Sequence, residues 1–270
     1  MTLNAWCRQG PWPERLEEIG VWIDSVDPDV VLLQEVVGLA DGTTTAEEIA
    51  GATGSTWFGA FAGTSMPDVL RTDDDEALWG VAVLSRWPID RRTVVALPRA
   101  GRHDSPPALH VRTGGIDVLS VHLAASPLAG LGRQAQVLVL DDAVRELADP
   151  ESPLPPIVGG DMNADPDSDE VRFLCGLTAL DGRTTSYQEA WRAAGPDEPG
   201  WTLTPANPHA ATLNIGGRRI DHLFVGDPFL RPAGSGRVLA AALCCHQALT
   251  GTFASDHFGV VAEIGWPDRP

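Results

Sequence analysis

The chain contains no lysine, and its 19 basic residues are all arginines. Against them stand 37 aspartates and glutamates, so the formal net charge is -18 across 270 residues. Proteins that grip duplex nucleic acid without regard to sequence depend on lysine and arginine to neutralise many phosphates. The charge balance therefore disfavours long nucleic acids as partners, but it leaves room for a single phosphate-ester substrate held at one basic or metal-charged spot.

Cysteine is scarce, and long apolar runs are missing. The four cysteines are too few and too scattered to predict a disulfide framework, and none belongs to a Cys-x-x-Cys metal arrangement. The N-terminus has no basic stretch followed by a long apolar one, and no window approaches the roughly 20 apolar residues of a membrane span. These absences predict a cytoplasmic chain with reduced thiols and no transmembrane segment.

The sequence does contain a series of short apolar runs, each bounded by glycine, proline or aspartate, which predict strands. Residues 13–26 and 134–147 carry apolar side chains at helical spacing and predict amphipathic helices that cover a sheet. The acidic run at residues 73–76 predicts a solvated loop. Length and composition fit one mixed α/β domain over residues 1–270. The predicted strands are Val30–Leu33, Val81–Leu84, Val118–Val121, Pro156–Val158, Leu223–Val225 and Val260–Ile264.

Polar residues stand where these strands begin or end. The ends of strands in an α/β sheet form a cleft, so polar residues collected there are candidates for chemistry. Any one of them has a simpler interpretation, because a single Asp or Asn often caps a helix and a lone His is often a satisfied core residue. The set as a whole indicates a site, since clustered charges in a cleft need a partner. The set comprises Asn4, Gln34–Glu35, His122, Asp161–Asn163, Arg218–Asp221 and Ser255–His257.

The residue types narrow the chemistry of such a site. Carboxylate and amide oxygens are hard ligands that suit Mg²⁺, Mn²⁺ or Ca²⁺. Zinc is disfavoured because the histidines are dispersed and no His-Glu-x-x-His is present. A histidine backed by an aspartate activates water or donates a proton. A metal, a histidine and hydrogen-bond donors together predict phosphoester hydrolysis.

The order of these motifs resembles that of the endonuclease/exonuclease/phosphatase superfamily, which has a deoxyribonuclease-like fold. Seven blocks stand in family order over residues 2–264. The resemblance implies a four-layer α/β sandwich, with two mixed β-sheets packed face to face, helices on the outer faces and the motifs at one end. The blocks are Thr2–Trp6, Leu33–Val36, Gly80–Arg86, Val121–Leu123, Gly160–Asn163, Arg219–His222 and Ser255–His257.

The resemblance also implies which residues hold a cation. Glu35 would be the principal metal ligand, with Asn4 beside it and Asp256 close to the ion. The cofactor expected from this is Mg²⁺, with Mn²⁺ or Ca²⁺ as alternatives.

The remaining matched residues would act on water and phosphate. Asp161 and Asn163 would bind or orient the attacking water and the phosphate. His257 would contact the scissile phosphate and transfer a proton, oriented by Asp221. His122 would be a second histidine facing the phosphate.

Four positions depart from the family pattern. Trp6 stands where the apurinic endonuclease branch has an acidic residue, and Trp79 where the third block often has Asn. Met162 replaces the usual Phe and Leu203 the usual Trp. Trp6 argues against close kinship with the apurinic endonuclease branch. The stretch Trp201–Pro208 around Leu203 resembles one that is common in bacterial members of unassigned substrate. Most of the nine tryptophans are expected to pack in the core, and the alternative is that Trp6, Trp79 or Trp201 lines the mouth of the cleft.

Three functions are compatible with these residues. The leading one is a monomeric, Mg²⁺-dependent phosphodiesterase or phosphatase that uses direct attack by water. The second is a DNA or RNA nuclease of the same family, and the third is a non-catalytic binding domain that binds no divalent ion. Arg218 and Arg219 could clamp a phosphate or pair with surface carboxylates.

Overall fold

The computed structural model describes residues 1–67, 77–100, 105–213, 215–227 and 235–267. The acidic run at 73–76 lies outside these ranges. Five α-helices and a short 3-10 helix at Ala211–Leu213 are present within them, and no described helix has both the length and the apolar character to cross a membrane. The helices are α1 (Trp12–Val26), α2 (Thr45–Gly51), α3 (Gly130–Leu147), α4 (Asp169–Leu174) and α5 (Ala190–Ala194).

The described residues also form twelve strands. They include all six strands predicted from apolar runs, mostly with wider bounds. The strands are β1 (Thr2–Asn4), β2 (Val30–Gly38), β3 (Phe58–Ser65), β4 (Leu78–Ser85), β5 (Ile89–Val95), β6 (Ala108–Thr113), β7 (Ile116–His122), β8 (Ile157–Asp161), β9 (Tyr187–Glu189), β10 (Asp221–Gly226), β11 (Val238–Cys244) and β12 (Gly259–Ile264).

The strands make two six-stranded sheets. Sheet 1 has the order β11-β12-β1-β2-β4-β3, and sheet 2 has the order β5-β6-β7-β8-β10-β9. Each is mixed, because β1 and β2 run parallel in sheet 1, as do β7 and β8 in sheet 2, and the remaining pairs are antiparallel. The predicted pair of mixed sheets is confirmed.

Three apolar cores hold four layers together. Alternate residues of a strand point to opposite faces of its sheet, so each sheet has an inner and an outer core. Leu32 and Val83 of sheet 1 pack against Val118 and Leu223 of sheet 2 between the sheets. The outer face of sheet 1 packs against α1 and α2, and that of sheet 2 against α3 and α4. The arrangement is therefore the predicted α/β sandwich with helices outside.

Local chemistry explains where the two predicted helices start and stop. In α1, a proline occupies the first turn, where its missing N–H costs nothing, and the helix ends at Asp27 in the left-handed region with φ of 48°. Its buried face carries Ile19 and Ile23, which pack on sheet 1. Helix α3 lays Val137, Leu140 and Val144 on sheet 2. Both amphipathic predictions are confirmed, with α3 starting four residues earlier.

The polar stretch Arg218–Asp221 is predicted to begin a strand, but only its last residue belongs to β10, which begins at Asp221. Arg218 instead exchanges backbone hydrogen bonds with Leu203, in an isolated bridge outside the sheet. This bridge matters for the site, because Leu203 also bridges to His257.

Candidate active site between the sheet ends

Three of the predicted residues stand side by side at one end of sheet 2. His122 is opposite Asp161 in the parallel β7–β8 register, and Asp161 is opposite Asp221 in the antiparallel β8–β10 register. All three belong to the inner face, in phase with Val118, Ile157 and Leu223. They are 1%, 2% and 0% exposed, respectively. Two carboxylates and an imidazole are therefore buried in one row at the edge of the sandwich.

A glycine permits the close approach of the two strands in this row. Gly160 has a φ of 150°, and a Cβ there would lie 1.9 Å from the carbonyl oxygen of Val121. Any other residue at this position would push β7 and β8 apart next to His122 and Asp161.

His257 joins the row through Asp221. Its Nδ1 lies 2.9 Å from Asp221 Oδ2, and its backbone N–H donates to Ser255 Oγ at 3.2 Å. Burial disfavours the charged imidazole, but the charges of Asp221, Asp256 and Asp161 and the Asp221 hydrogen bond outweigh burial. The pKa of His257 is therefore held well above its ordinary value.

Asn4 reaches the row from sheet 1. Its Nδ2 donates to Asp161 Oδ2 at 3.1 Å, across 157 residues of sequence. Its Oδ1 accepts from the backbone N–H of Trp6 at 2.9 Å, and its backbone carbonyl accepts from Ser255 Oγ at 2.6 Å. Asn4 thus connects both sheets and the segment that carries His257.

Asp161 is fully engaged on both carboxylate oxygens. Oδ1 accepts from the backbone N–H of Asn163 at 2.8 Å, and Oδ2 lies 3.5 Å from His122 Nε2. Asn163 adopts a φ of 49° and donates from Nδ2 to the Leu123 carbonyl, which places it next to the end of β7. Burial raises the pKa of Asp161 and the charge of Asp221 raises it further, with the two histidines opposing.

Glu35 is directed by an irregularity in β2. The β2–β4 register shifts between Gln34 and Val36, and Glu35 has a φ of 53°. Such bulges with an unusual backbone re-aim a side chain and are common beside active sites. Cys7 Sγ lies 3.7 Å from Glu35 Oε2, within hydrogen-bonding range for sulfur.

Groups of both charge signs lie near Glu35. Burial raises its pKa, with the charges of His122 and His257 opposing and that of Asp256 adding to the effect. The carboxylates of Glu35 and Asp256 are hard oxygen donors of the kind that suits a divalent cation such as Mg²⁺ or Mn²⁺. The amide oxygen of Asn4 is a third donor of this kind, and in this structure it accepts from the Trp6 N–H. A second acidic group, Asp161, Asp221 and His257, offers donor atoms within 4.8 Å of one another.

Of the three tryptophans that the sequence analysis named as possible cleft residues, Trp79 and Trp6 contact residues of the site. Trp79 packs edge-to-face on His122, with ring centroids 5.1 Å apart. Within the described ranges, Trp79 Nε1 and His122 Nδ1 are buried without a hydrogen-bond partner. Trp6 lies 5.1 Å from the ring of His209, and Trp201 is 48% exposed.

The two arginines adjoining Asp221 are committed to carboxylates. Arg218 pairs with Asp165 at 2.8 Å, and Arg219 pairs with Glu189 at 2.9 Å. Of the two interpretations, the structure supports ion pairing over a phosphate clamp.

Sequence reasoning did not single out several residues that build the site. Thr202 Oγ1 accepts from the backbone N–H of both Ile220 and Asp221, which fixes the start of β10. Arg15 is completely buried behind the loop after Asn4. A signal for Arg15 exists in the sequence, because it shares the apolar face of α1 with Ile19 and Ile23 at intervals of four. A charged residue on such a face is unusual.

Two stacked mixed sheets with polar residues converging at one end define a DNase I-like hydrolase fold. Residues 1–257 match the model of the Endonuclease/Exonuclease/phosphatase family, and the chain belongs to that family. Its members are metal-dependent phosphoesterases or nucleases, that is, hydrolases of phosphoester bonds. No curated protein sequence matches the chain significantly.

Solved structures share the fold at low sequence identity. Truncated Caenorhabditis elegans TDP2 is 21% identical with a TM-score of 0.69, over 97% of this chain and 94% of that one. An endonuclease/exonuclease/phosphatase protein from Beutenbergia cavernae is 23% identical with a TM-score of 0.67, over 98% and 70%. The human Nocturnin catalytic domain, solved with a sulfate anion, is 18% identical with a TM-score of 0.68, over 98% and 91%.

Proposed function

We propose that the chain is a divalent-metal-dependent phosphoester hydrolase in which water attacks phosphorus directly. The observation that carries this is the hydrogen-bonded chain from Asn4 through Asp161, beside the Asp221–His257 pair, at one end of both sheets. A single domain spanning residues 1–270 carries the activity, and it acts as a monomer.

The cation is assigned to Glu35, Asn4 and Asp256. These residues combine two carboxylates with an amide oxygen, which are the hard donors that suit such an ion. In the competing acidic group, His257 Nδ1 is already bonded to Asp221, which favours a proton-transfer role over metal binding. When bound, Mg²⁺ or Mn²⁺ supplies polarisation of the phosphoryl oxygens and offsets charge in the transition state.

Asp161 accepts a proton from the attacking water in this proposal. Its pKa is raised by burial and by Asp221, which makes it a stronger base than an exposed aspartate. Asn4 and the backbone of Asn163 hold the carboxylate in one orientation. The side chain of Asn163 contributes to orienting the water and the phosphate.

His257 stabilises the phosphate and returns a proton to the leaving oxygen. Asp221 fixes the ring through Nδ1, which leaves Nε2 for the substrate. A pKa well above the ordinary value keeps the ring protonated at neutral pH, as a hydrogen-bond donor to a phosphate oxygen and a general acid require. His122, on the other side of Asp161, supplies a second contact with the phosphate.

The substrate class proposed is a compact phosphodiester or phosphomonoester. A net charge of -18 opposes binding along a polyanion, so a DNA or RNA nuclease is the second candidate. The Danio rerio TDP2 structure holds a single-strand DNA product, but at 18% identity the likeness extends to the fold alone.

Hydrolysis of bis-p-nitrophenyl phosphate with Mg²⁺ or Mn²⁺ tests the proposal. We expect turnover by the wild-type chain, none in EDTA, and loss of most turnover in Asp161→Ala and His257→Ala with the fold retained by circular dichroism. Undiminished turnover in both variants would contradict the site assignment. Parallel assays with p-nitrophenyl phosphate, plasmid and single-stranded DNA separate the phosphatase and nuclease alternatives.

The non-catalytic alternative is tested by calorimetric titration with Mn²⁺, alone and with inorganic phosphate. Heat of binding in the wild-type chain supports the enzyme. Absence of divalent-ion binding in both titrations would favour a binding domain that has kept the fold without the chemistry.

A further inference from the structure

Among the described residues, Arg15 has the largest side chain that is fully buried. Its guanidinium donates to three backbone carbonyls, those of Ala5, Gln9 and Ala254. The contact with Gln9 measures 2.7 Å and that with Ala254 3.1 Å. A buried arginine usually faces a carboxylate, but among the described residues Arg15 forms no ion pair. Its hydrogen bonds among the described residues all go to main-chain carbonyls.

The carbonyls that Arg15 contacts belong to the two segments that carry metal-ligand candidates. Ala5 directly follows Asn4, and Ala254 comes two residues before Asp256. These segments lie about 250 residues apart in sequence. One follows β1 and the other precedes β12, and the two strands are neighbours in sheet 1. The planar guanidinium donates in fixed directions, so it sets the spacing of the segments that it joins.

The loop after Asn4 needs this support because its backbone is unusual. Trp6 and Cys7 adopt φ values of 53° and 44°, in the region that glycine favours. The guanidinium also packs over the Trp6 ring at 4.8 Å and the Trp12 ring at 5.4 Å. Arg15 thereby holds the turn in which the Trp6 N–H bonds Asn4 Oδ1.

The carboxylates of the site partly offset the cost of burying the Arg15 charge. Burial lowers the pKa of Arg15 to about 10, while the charges of Asp256 and Glu35 work in the opposite direction. The side chain therefore stays charged at neutral pH, behind the carboxylates and without bonding to them.

We propose that Arg15 is a positioning residue that holds Asn4 and Asp256 at the spacing a divalent cation requires. The inference rests on the proposed function, since it concerns the same cation. It adds a residue outside the seven motif blocks that acts through the main chain of two segments.

Mn²⁺ titration of the apo-protein by electron paramagnetic resonance tests the inference without any activity readout. We expect Arg15→Met to weaken Mn²⁺ affinity by about 10- to 100-fold, the usual loss when a residue that orients metal ligands is removed. Arg15→Lys keeps the charge but lacks the planar fork, so we expect an intermediate loss. If Arg15→Met does not fold, Arg15→Lys decides the question.

Glu18→Gln is the matched control. Glu18 is also fully buried on α1, and it accepts from the backbone N–H groups of Leu249 and Thr250, which precede the Ala254–Asp256 segment on the same loop. It therefore supports this loop without contacting the carbonyls that Arg15 binds. We expect this variant to lose thermal stability and keep wild-type Mn²⁺ affinity. Equal affinities in Arg15→Lys, Arg15→Met and wild type would overturn the inference, as would an equal loss in Glu18→Gln. Absence of Mn²⁺ binding in wild type would instead overturn the proposed function.

Discussion

Two histidine–carboxylate pairs use adjacent residues of β10, and they differ in what surrounds them. On the inner face, Asp221 bonds His257 Nδ1 at 2.9 Å. On the outer face, His222 Nδ1 lies 3.2 Å from Glu189 Oε1. Both pairs are buried, and the alternation of side chains along one strand separates them.

The outer pair is saturated. Glu189 also accepts from Arg219 and from the backbone N–H of Arg192, and His222 Nε2 reaches the Ala164 carbonyl. Burial of Glu189 disfavours its charge, but His222 and Arg219 outweigh that and lower its pKa to about 2. The network leaves Glu189 and His222 nothing to offer a substrate.

The inner pair keeps unused capacity. Asp221 Oδ1 has no hydrogen-bond partner within the described residues, and the pKa values of the nearby Asp161 and Glu35 are raised. The saturated outer pair, with its lowered Glu189 pKa, stabilises the fold. The unsaturated inner pair lies among carboxylates whose pKa values are raised, a combination typical of functional sites.

Exchanging each carboxylate for its amide should separate the two pairs most strongly. Asp221→Asn removes the charge that keeps the His257 ring protonated and the hydrogen bond that orients it. We therefore expect turnover to fall by about 10²- to 10⁴-fold. Glu189→Gln should keep wild-type turnover per folded molecule. Steady-state hydrolysis of bis-p-nitrophenyl phosphate, normalised to folded protein, measures both, and equal losses would erase the distinction.

Protein stability, unlike turnover, should depend on the outer pair. The lowered pKa of Glu189 means that its stabilisation is present above the ordinary glutamate pKa and is lost as the pH falls towards about 2. A shift of this size corresponds to about 3 kcal/mol. We expect Glu189→Gln to lose about that much unfolding free energy at pH 7, with a flatter acid limb. Urea melts at pH 7 and pH 3 test this, and a parallel offset at both pH values would contradict it.

A smaller effect is expected at Glu35. Its raised pKa means that the ionised carboxylate destabilises the metal-free fold at neutral pH. Glu35→Gln should therefore have a higher melting temperature than the wild-type chain in EDTA. Each kcal/mol of unfavourable burial energy that is removed should raise it by about 2–4 °C. Mn²⁺ should raise the melting temperature of the wild-type chain and not that of the variant. A lower melting temperature for Glu35→Gln in EDTA would show that the carboxylate is already compensated.

Local patterns predicted the strands and the inner residues of this comparison. Short apolar runs predicted β2, β7 and β10. The family resemblance carried by the order of the polar blocks predicted that Asp161 and His257 lie at one end of the sandwich. The outer pair was not predicted, because Glu189 lies on a three-residue strand and meets His222 only through the β9–β10 pairing. Nor could local pattern reveal the bulge at Glu35 or the contact of Arg15 with Ala254, 239 residues away. Both arise from tertiary packing.

The central claim is that the inner site holds a divalent cation at Glu35, Asn4 and Asp256. Anomalous diffraction from crystals soaked in Mn²⁺ tests it most directly. We predict a peak between Glu35, Asp256 and Asn4 and none at Glu189 and His222. A structure with no peak at Glu35, or with its only peak among Asp161, Asp221 and His257, would contradict the account.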